Sequence, residues 1–387
     1  MRSISNDERR ARLVRRQLLS GGTPTQVSGQ LVGYHATDPM TVFLSAHART
    51  GASIRDIERA MYDERSLVRI LVMRGTMFSM PPDLAAVAFA ACTSKSATKL
   101  RTALLKVLDR TEVTGDLDAW LADVEARTVA AVSDAGEALG SELADAVPQL
   151  QVTFEAAPGK PYNSVIRLTS RVLNLLAAQG HIVRGRPKGS AISSQYRWAP
   201  LSAWIEGGLT PMDRPAAIAE LVRRWLGTYG PGTIDDLKWW TGLTKTEVRK
   251  AVAAISAVEV QLEDGVGYVL SDDRDPVGPV DSGALLLPSL DPTPMGWFER
   301  GWFGGSRGNR YYDRNGNICP TVWWDGRIVG AWVQRRSDGQ IVFDLEDVSP
   351  EARLAIDEAA HRTAAFLGDI VVKPRFPSAL DKALAGS

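Results

Sequence analysis

The sequence has few of the residues that build metal sites and disulfide frameworks. Its 387 residues include two distant cysteines, Cys92 and Cys319, and four histidines, no two of which stand at the spacing of ligands on one helix. This excludes a disulfide framework and a cysteine-based zinc site. No apolar run reaches the ~18 residues of a membrane span, and the N-terminal segment lacks the apolar core of a signal peptide. We therefore expect a cytoplasmic protein without a metal or another cofactor.

The sequence also lacks a net charge of either sign, because its 45 basic and 45 acidic residues balance each other. Two oppositely charged blocks nevertheless stand side by side. Positions 111–149 contain nine acidic residues and one arginine, whereas positions 156–205 contain no acidic residue and the basic residues Lys160, Arg167, Arg171, Arg184, Arg186, Lys188 and Arg197. A basic block of this size can neutralise several DNA phosphates. The alternative is two solvated faces of opposite sign.

Two segments show helices followed by a β-hairpin, an order that is typical of a winged helix. In the first, a helical pattern over 164–180 ends at Gly180 and precedes the strands HIVRG and SQYRWA. The turn and strands of this wing carry Arg184, Arg186 and Lys188, so we expect this wing to face DNA.

The second segment has clearer helix starts. Thr233 is the expected N-cap of one helix, and Thr244 with Glu247 forms a capping box that opens the next. The hairpin VEVQLEDGVGYVL follows, with its turn at Asp264-Gly265. Its wing is acidic, which indicates a structural role.

The chain therefore reads as an α+β protein built from tandem winged-helix units with a β-rich C-terminal part. We expect a mainly helical unit over 1–150, a basic winged helix over 151–205, a winged helix with an acidic wing over 211–275, and a β-rich part with a final helix over 276–387. The last part includes a predicted meander with turns at Asp325-Gly326 and Asp338-Gly339, and a helix over 350–367.

A Gly- and Asn-rich segment, GGSRGNRYYDRNGN at 304–317, interrupts the β-rich part. It interleaves Arg307, Arg310 and Arg314 with Tyr311 and its neighbouring tyrosine. Arginine in a groove and tyrosine against an unstacked base pair suit a hairpin that probes damaged DNA. The alternative is a surface hairpin without function. The pairs Trp239-Trp240 and Trp323-Trp324 would stack bases or, as we favour, pack in the core.

Six phrases occur in an order that resembles a known family. They are LVGYHATDP, ERSLVRILVMRGTMF, the winged helix ending in RWA, LGTYGPGTIDDLKWWTGL, LLLPSLDPTPMGWFER and CPTVWWDGRIVGAW. The series, which spans roughly residues 8–367, is similar to the AlkZ/YcaQ-like winged-helix family of bacterial DNA glycosylases. The resemblance implies three tandem winged helices with a β-rich part, arranged as a C-shape around DNA. It also implies a monofunctional, metal-free excision of bulky N-alkylated or crosslinked purines.

The family's catalytic motif holds two glutamines, or a glutamine and an aspartate, separated by one residue, which bind and activate the attacking water. The matching positions here are His35 and Thr37, a His-x-Thr variant of that motif, and Phe78 stands where many relatives have histidine. A neutral histidine can accept a proton from water, and a threonine hydroxyl can hold that water. Asp38 would orient His35 or place negative charge near the developing cation. The alternative for His35 is a satisfied, half-buried histidine at a helix end.

The sequence thus predicts a monofunctional DNA glycosylase that acts on damaged double-stranded DNA as a monomer and associates with the nucleoid. The catalytic candidates are His35, Thr37 and Asp38. Arg74 would either be structural or pin a phosphate. The candidate DNA contacts are Arg74, Arg167, Arg171, Arg184, Arg186, Lys188, Arg197, Arg307, Arg310, Tyr311 and Arg314. The alternative is a catalytically inactive winged-helix DNA-binding protein, either a lesion sensor or a transcriptional regulator.

Overall fold

The computed structural model describes residues 1–19, 21–160, 163–193, 195–281, 283–305, 308–372, 374–377 and 379–385. Helices alternate along the chain with small sheets of two to four strands. The fold is therefore α+β, as the sequence predicts. In the described part of the chain, no helix is long and apolar enough to cross a bilayer.

The N-terminal part builds a small sheet flanked by helices. Its elements are β1 (Arg2–Ser3), α1 (Asn6–Leu13), α2 (Pro24–Gln30), β2 (Tyr34–His35), α3 (Pro39–Thr50), α4 (Ile54–Glu58), β3 (Val68–Leu71) and β4 (Met77–Met80). Strand β4 pairs with both β2 and β3 in antiparallel fashion, so β2 is an edge strand. Asp38 is the N-cap of α3, and Pro39 occupies the first turn of that helix. The candidate catalytic residues therefore lie between an edge strand and a capped helix.

The middle part repeats this order of elements. It contains α5 (Pro82–Leu108), α6 (Leu117–Ala135), β5 (Ala138–Leu139), α7 (Gly140–Ala146), β6 (Thr153–Glu155), β7 (Val165–Arg167), α8 (Thr169–Gln179), β8 (Ile182–Pro187) and β9 (Tyr196–Pro200). Strand β9 lies between β5 and β8. Apart from the β6–β7 hairpin between α7 and α8, the order in both parts is helix, strand, two helices and two strands, with the last strand at the centre of the sheet.

The predicted start of the helix at 164 is wrong. Residues Val165–Arg167 are extended because they pair antiparallel with β6, where Arg167 lies opposite Thr153. The helix begins only at Thr169 and ends, as predicted, at Gly180, which has the left-handed backbone of a C-cap. The two wing strands β8 and β9 are confirmed.

The third unit follows the predicted pattern closely. It contains α9 (Leu201–Trp204), α10 (Arg214–Tyr229), α11 (Ile234–Thr241), α12 (Lys245–Ala254), β10 (Val258–Leu262) and β11 (Gly265–Val269). The N-cap Thr233 and the capping box of Thr244 and Glu247 are confirmed. Leu262 pairs with Gly265, so the turn lies one residue earlier than predicted. Strand β1 extends this sheet in parallel.

The C-terminal part is a four-stranded antiparallel meander with a helix behind it. Its elements are β12 (Ala284–Leu287), α13 (Pro292–Met295), α14 (Gly301–Gly304), β13 (Thr321–Trp324), β14 (Arg327–Gln334), β15 (Ile341–Leu345), α15 (Pro350–Leu367) and α16 (Ala379–Ala385). The turn Asp325-Gly326 joins β13 to β14 with positive φ at both residues, 45° and 73°. The predicted meander, this turn and helix α15 are confirmed.

Two large apolar clusters and a small third one form the interior. The smaller of the two large clusters includes Leu108, Leu143, Leu176 and Trp198, so it contains residues from both sides of position 150. The larger cluster joins the first part of the chain to the third unit and the meander, through residues such as Phe78, Trp240 and Trp323. The four-part division of the chain stays a prediction. In the larger cluster, Phe78 of β4, the strand that pairs with β2, packs against Trp240 of α11.

Candidate active site and nucleic-acid interface

His35 lies on the edge strand β2, opposite Phe78 of β4. The two ring centroids are 5.3 Å apart, and Phe78 in turn packs edge-on against Trp240 at 6.0 Å. The histidine is 6% exposed, and its Nδ1 atom is buried without a hydrogen-bond partner among the described residues. A buried polar atom without a protein partner is costly unless a water or ligand meets it, which makes His35 a candidate functional residue.

The environment keeps the imidazole neutral. Burial, and to a lesser degree the charge of Arg74, lowers the pKa of His35 to about 3. A neutral imidazole retains one ring nitrogen that can accept a proton, although this low pKa makes His35 a weak base. The expected pKa near 6.5 is therefore corrected downward, because the side chain leaves water and faces a cation.

The backbone of the motif is fixed from both sides. The amide of Ala36 donates to the carbonyl oxygen of Met77 at 2.8 Å, and Arg69 Nη2 donates to the carbonyl oxygen of Ala36 at 2.8 Å. Thr37, the second candidate, is half-buried. The strand pairing and the buried Arg69 together hold His35 and Thr37 in a defined position.

Asp38 does not orient His35 through a hydrogen bond. Its Oδ1 accepts from the amide of Met40 at 3.0 Å, and its Oδ2 accepts from the amide of Arg375 at 2.9 Å. The residue is 4% exposed, and burial raises the pKa of its carboxyl. Asp38 acts as a helix cap here, so only the electrostatic role considered for it is compatible with this geometry.

Arg74 lies beside His35 in the turn between β3 and β4. Its guanidinium carbon lies 5.0 Å from the ring centroid of Trp239, and that of Arg300 lies 5.0 Å from the same centroid. Burial, and then the charge of Arg300, lowers the pKa of Arg74 to about 10. Among the described residues, no carboxylate forms an ion pair with either arginine. We call Arg74, Trp239 and Arg300 the arginine–tryptophan cluster.

The close approach of two glycines makes this cluster possible. A Cβ atom at Gly242, the C-cap of α11, would lie 3.0 Å from Cγ of Arg74. A Cβ atom at Gly316 would lie 3.0 Å from the Trp239 ring, and both glycines have positive φ. The segment 304–317 therefore touches the cluster that adjoins His35.

The structure corrects part of the prediction for segment 304–317. Tyr311 is 1% exposed, so its ring belongs to the core and does not face a groove. Arg314 is exposed, and Arg310 is exposed with one terminal nitrogen 3.4 Å from a carboxylate oxygen of Asp344. Arg307 lies outside the described residues. The described part of the segment contains a 3₁₀ turn over Gly308–Tyr311, and an isolated bridge joins Tyr312 to Ile318.

The basic block is not uniformly free to meet DNA. Arg186 forms ion pairs with Glu58 at 3.2 Å and Asp63 at 2.7 Å, and it also stacks on Tyr62. This residue therefore attaches the second unit to the end of α4 and the turn that follows it, and two carboxylates balance its charge, so its contact with DNA stays a prediction. Among the other basic candidates of this block, the exposed ones are Arg167, Arg171 and Lys188, and the half-buried ones are Arg184 and Arg197.

Sequence reasoning missed two arginines that complete these arrangements. Arg300 lies in the phrase MGWFER, and its guanidinium also lies 4.1 Å from the ring centroid of Tyr312. Arg69 lies in the phrase ERSLVRILVMRG and is 2% exposed. Both arginines lie in sequence phrases on which the family resemblance rests, and that resemblance was the only feature of the sequence that could have indicated them. Trp240 and Trp323 are core residues, as favoured, each 1% exposed.

The fold is α+β with a buried histidine beside an arginine–tryptophan cluster, and comparison with known proteins identifies the family. Residues 29–366 match the family model described as DNA glycosylase AlkZ-like, so the chain belongs to that family. The interstrand DNA cross-link repair glycosylase of Streptomyces sahachiroi is 26% identical over 170 residues, which cover 42% of this chain and 45% of that protein. The match thus spans less than half the length of that relative.

A solved structure extends the likeness to nearly the whole chain. The structure of the Streptomyces sahachiroi DNA glycosylase AlkZ superposes with a TM-score of 0.70 at 19% identity, covering 94% of this chain and 97% of that one. At this level of identity the likeness concerns the fold.

Proposed function

We propose that this chain is a monofunctional DNA glycosylase that hydrolyses the N-glycosidic bond of bulky N-alkylated or crosslinked purines in double-stranded DNA, as a monomer. The observation that carries the proposal is the neutral imidazole of His35 at a position that matches the family's water-binding motif. Family membership supports the glycosylase class.

The reaction needs little from a base. An N-alkylated purine carries a positive charge, so it leaves as a neutral base with both electrons of the C–N bond. Water forms the new bond to C1′ of the sugar while the C–N bond breaks, and its proton goes to the imidazole of His35. The hydroxyl of Thr37 holds the water. Because the leaving group is already activated, a weak base with a pKa of about 3 suffices.

The arginine–tryptophan cluster then has an electrostatic explanation. Two unpaired cations beside a developing oxocarbenium ion would oppose the reaction. A DNA phosphate bound between Arg74 and Arg300 removes this repulsion and places negative charge near C1′. The carboxylate of Asp38 would add to that field. Binding of the DNA backbone therefore prepares the site for a cationic transition state.

The remaining candidate contacts form the proposed DNA surface. Within the described residues, the side chains of Arg167, Lys188 and Arg314 are exposed and have no carboxylate partner. This set also includes Arg171, Arg197 and Arg310. Arg186 is left out of the set because two carboxylates balance its charge. In the proposed C-shaped arrangement around DNA, these residues contact the backbone and segment 304–317 lies near the lesion.

The decisive experiment uses a duplex that contains N7-alkylguanine, heated with base after incubation to reveal abasic sites. We expect His35→Ala to lower the rate by ~10²-fold, at the low end for loss of a general base, with DNA binding unchanged. His361→Ala is the matched control because His361 is an exposed histidine on α15. Equal rates for wild type and His35→Ala would remove His35 from the mechanism.

The alternative function is a catalytically inactive DNA-binding protein. The 6% exposure of His35 favours it, because the imidazole has little contact with water in this structure. If wild-type protein is inert on every N-alkylpurine tested, the combined substitutions His35→Gln and Thr37→Gln decide the matter. Activity gained by restoring the family motif would identify a once-active scaffold now used for binding.

A further inference from the structure

A polar cavity lies in the second unit, and neither His35 nor segment 304–317 lines it. Its volume is about 480 Å³, and it opens beside the first residues of α7 and α8 and the wing strands β8 and β9. Its lining includes Arg184, Arg375, Asn174 and the hydroxyl residues Ser141 and Ser170, and among the described lining residues none is acidic. A cavity with this lining suits an anion.

Arg184 is the most enclosed cation of this cavity. Its Nη2 donates to Oδ1 of Asn174 at 3.2 Å, while its Nε is buried without a partner in the described part of the chain. Its guanidinium carbon lies 5.1 Å from the Tyr196 ring centroid and 5.2 Å from that of Trp198. The side chain is therefore held in place by neutral groups that leave its charge uncompensated.

Two further arginines surround Arg184, and none of the three has an ion pair within the described ranges. Arg69 lies on the Tyr196 ring at 4.3 Å, and Arg375 lines the cavity from the C-terminal segment. Burial, then repulsion by Arg69 and by Arg375, lowers the pKa of Arg184 to about 10. The buried carboxylate of Asp38 interacts with Arg375 and Arg69 but not with Arg184. The charge of Arg184 is therefore left without an acid, and an anion in the cavity would lower the free energy of the protein.

We propose that this cavity binds a phosphate group, with Arg184 and Arg375 as its charged ligands and Ser141, Ser170 and Asn174 as polar ones. This deepens the proposed function, because a phosphate of the DNA backbone is the expected source. A phosphate carries several acceptor oxygens, and arginine and hydroxyl groups are its usual donors. A mononucleotide or free phosphate shares the same chemistry.

The cavity is also linked to the candidate catalytic motif through the contacts of one residue, Arg69. Arg69 joins the Tyr196 ring on one side to the carbonyl oxygen of Ala36 on the other, and Ala36 stands between His35 and Thr37. Arg69 thus links a ring that lines the cavity to the backbone of the motif. Arg69 is a positioning residue in this arrangement.

The test measures thermal unfolding of the full chain with inorganic phosphate against chloride of equal ionic strength. We expect phosphate to raise the Tm of wild type, with an affinity at least tenfold weaker in Arg184→Gln. Arg353→Gln is the control, since Arg353 is exposed and paired with Asp357, and it should respond as wild type does. No rise in wild type beyond that in chloride, or an equal rise in Arg184→Gln, overturns the proposal. If Arg184→Gln unfolds without ligand, the exposed Arg375→Gln decides by the same criterion.

A second measurement identifies the source of the phosphate. Duplex affinity is measured against salt concentration for wild type and Arg184→Gln. A salt slope lower by ~0.9 in the variant assigns the cavity to one backbone phosphate. An unchanged slope, with loss of the response to inorganic phosphate, assigns it to a free phosphate or mononucleotide. Both assays are independent of base excision. If the protein excises no base but binds phosphate, the proposed function is contradicted and the proposed phosphate site is retained.

Discussion

Two enclosed arginines of this protein, Arg49 and Arg74, have opposite electrostatic environments. Arg49 of α3 is 1% exposed and donates two hydrogen bonds to Asp291, at 2.8 and 2.9 Å, with further bonds to Thr293 and to the carbonyl oxygen of Gln17. Arg74, in the turn between β3 and β4, has no ion pair in the described part of the chain, and its neighbour Arg300 is another cation.

The difference separates a structural charge from a charge available to a ligand. Each donor of Arg49 reaches an acceptor inside the protein, so the group joins the first part of the chain to the meander. Arg74 keeps one buried donor, its Nε, without a partner among the described residues and faces the half-buried Trp239. A cation that is enclosed but unpaired costs free energy in the DNA-free protein, and such sites are candidates for function.

The largest expected effect concerns the paired arginine. Asp291→Ala leaves Arg49 buried without its carboxylate, so we expect the free energy of unfolding to fall by about 3–5 kcal/mol. Urea unfolding measures this loss. The control is Asp357→Ala, which breaks an exposed ion pair with Arg353 on α15 and should cost only about 0.3–0.5 kcal/mol. Similar losses for both variants would contradict the structural role of Arg49.

The next effect concerns the pH dependence of stability, which involves His35 beside the unpaired Arg74. His35 is neutral when folded, with a pKa of about 3, whereas the unfolded chain takes up a proton near pH 6.5. The unfolded state therefore binds more protons below pH 6.5, and His35 lowers stability as the pH falls toward 3. We expect about 2 kcal/mol to be lost between pH 6.5 and 5 relative to His35→Gln. Parallel pH profiles of the two proteins would show that His35 is not shielded from water.

The sequence predicted features that depend on neighbouring residues. The capping box of Thr244 and Glu247 and the turn at Asp325-Gly326 involve residues within four positions of each other, so local pattern was sufficient. Arg186 meets Glu58 and Asp63 across more than 120 positions. No periodicity encodes such a pairing, and the same is true of the burial of Tyr311. The family resemblance located His35, but its pKa depends on an arginine from a distant turn.

Loss of the unpaired arginine should affect ligand binding more than folding. Arg74→Gln removes a cation that Arg300 repels, while it loses a cation–π contact of about 0.5–1 kcal/mol with Trp239. We expect the free energy of unfolding to change by less than about 1 kcal/mol. The salt slope of duplex binding should fall by ~0.9, the value for one phosphate contact. A loss of stability comparable to that of Asp291→Ala, with an unchanged salt slope, would place Arg74 with Arg49 as a structural charge.

The smallest effect tests the same distinction within one wing. Arg186 is neutralised by Glu58 and Asp63, whereas Lys188, two residues further on, is exposed and lacks an ion pair in the described residues. Lys188→Gln should therefore reduce the salt slope of duplex binding by at most ~0.9, with no loss of stability. Arg186→Gln should leave the slope unchanged and lower the free energy of unfolding by about 0.2–1 kcal/mol, because its ion pairs are partly exposed. Titration of a fluorescent duplex at several salt concentrations measures both slopes. If Arg186→Gln lowers the slope as much as Lys188→Gln does, the contacts with Glu58 and Asp63 open on DNA binding and the wing is free to move.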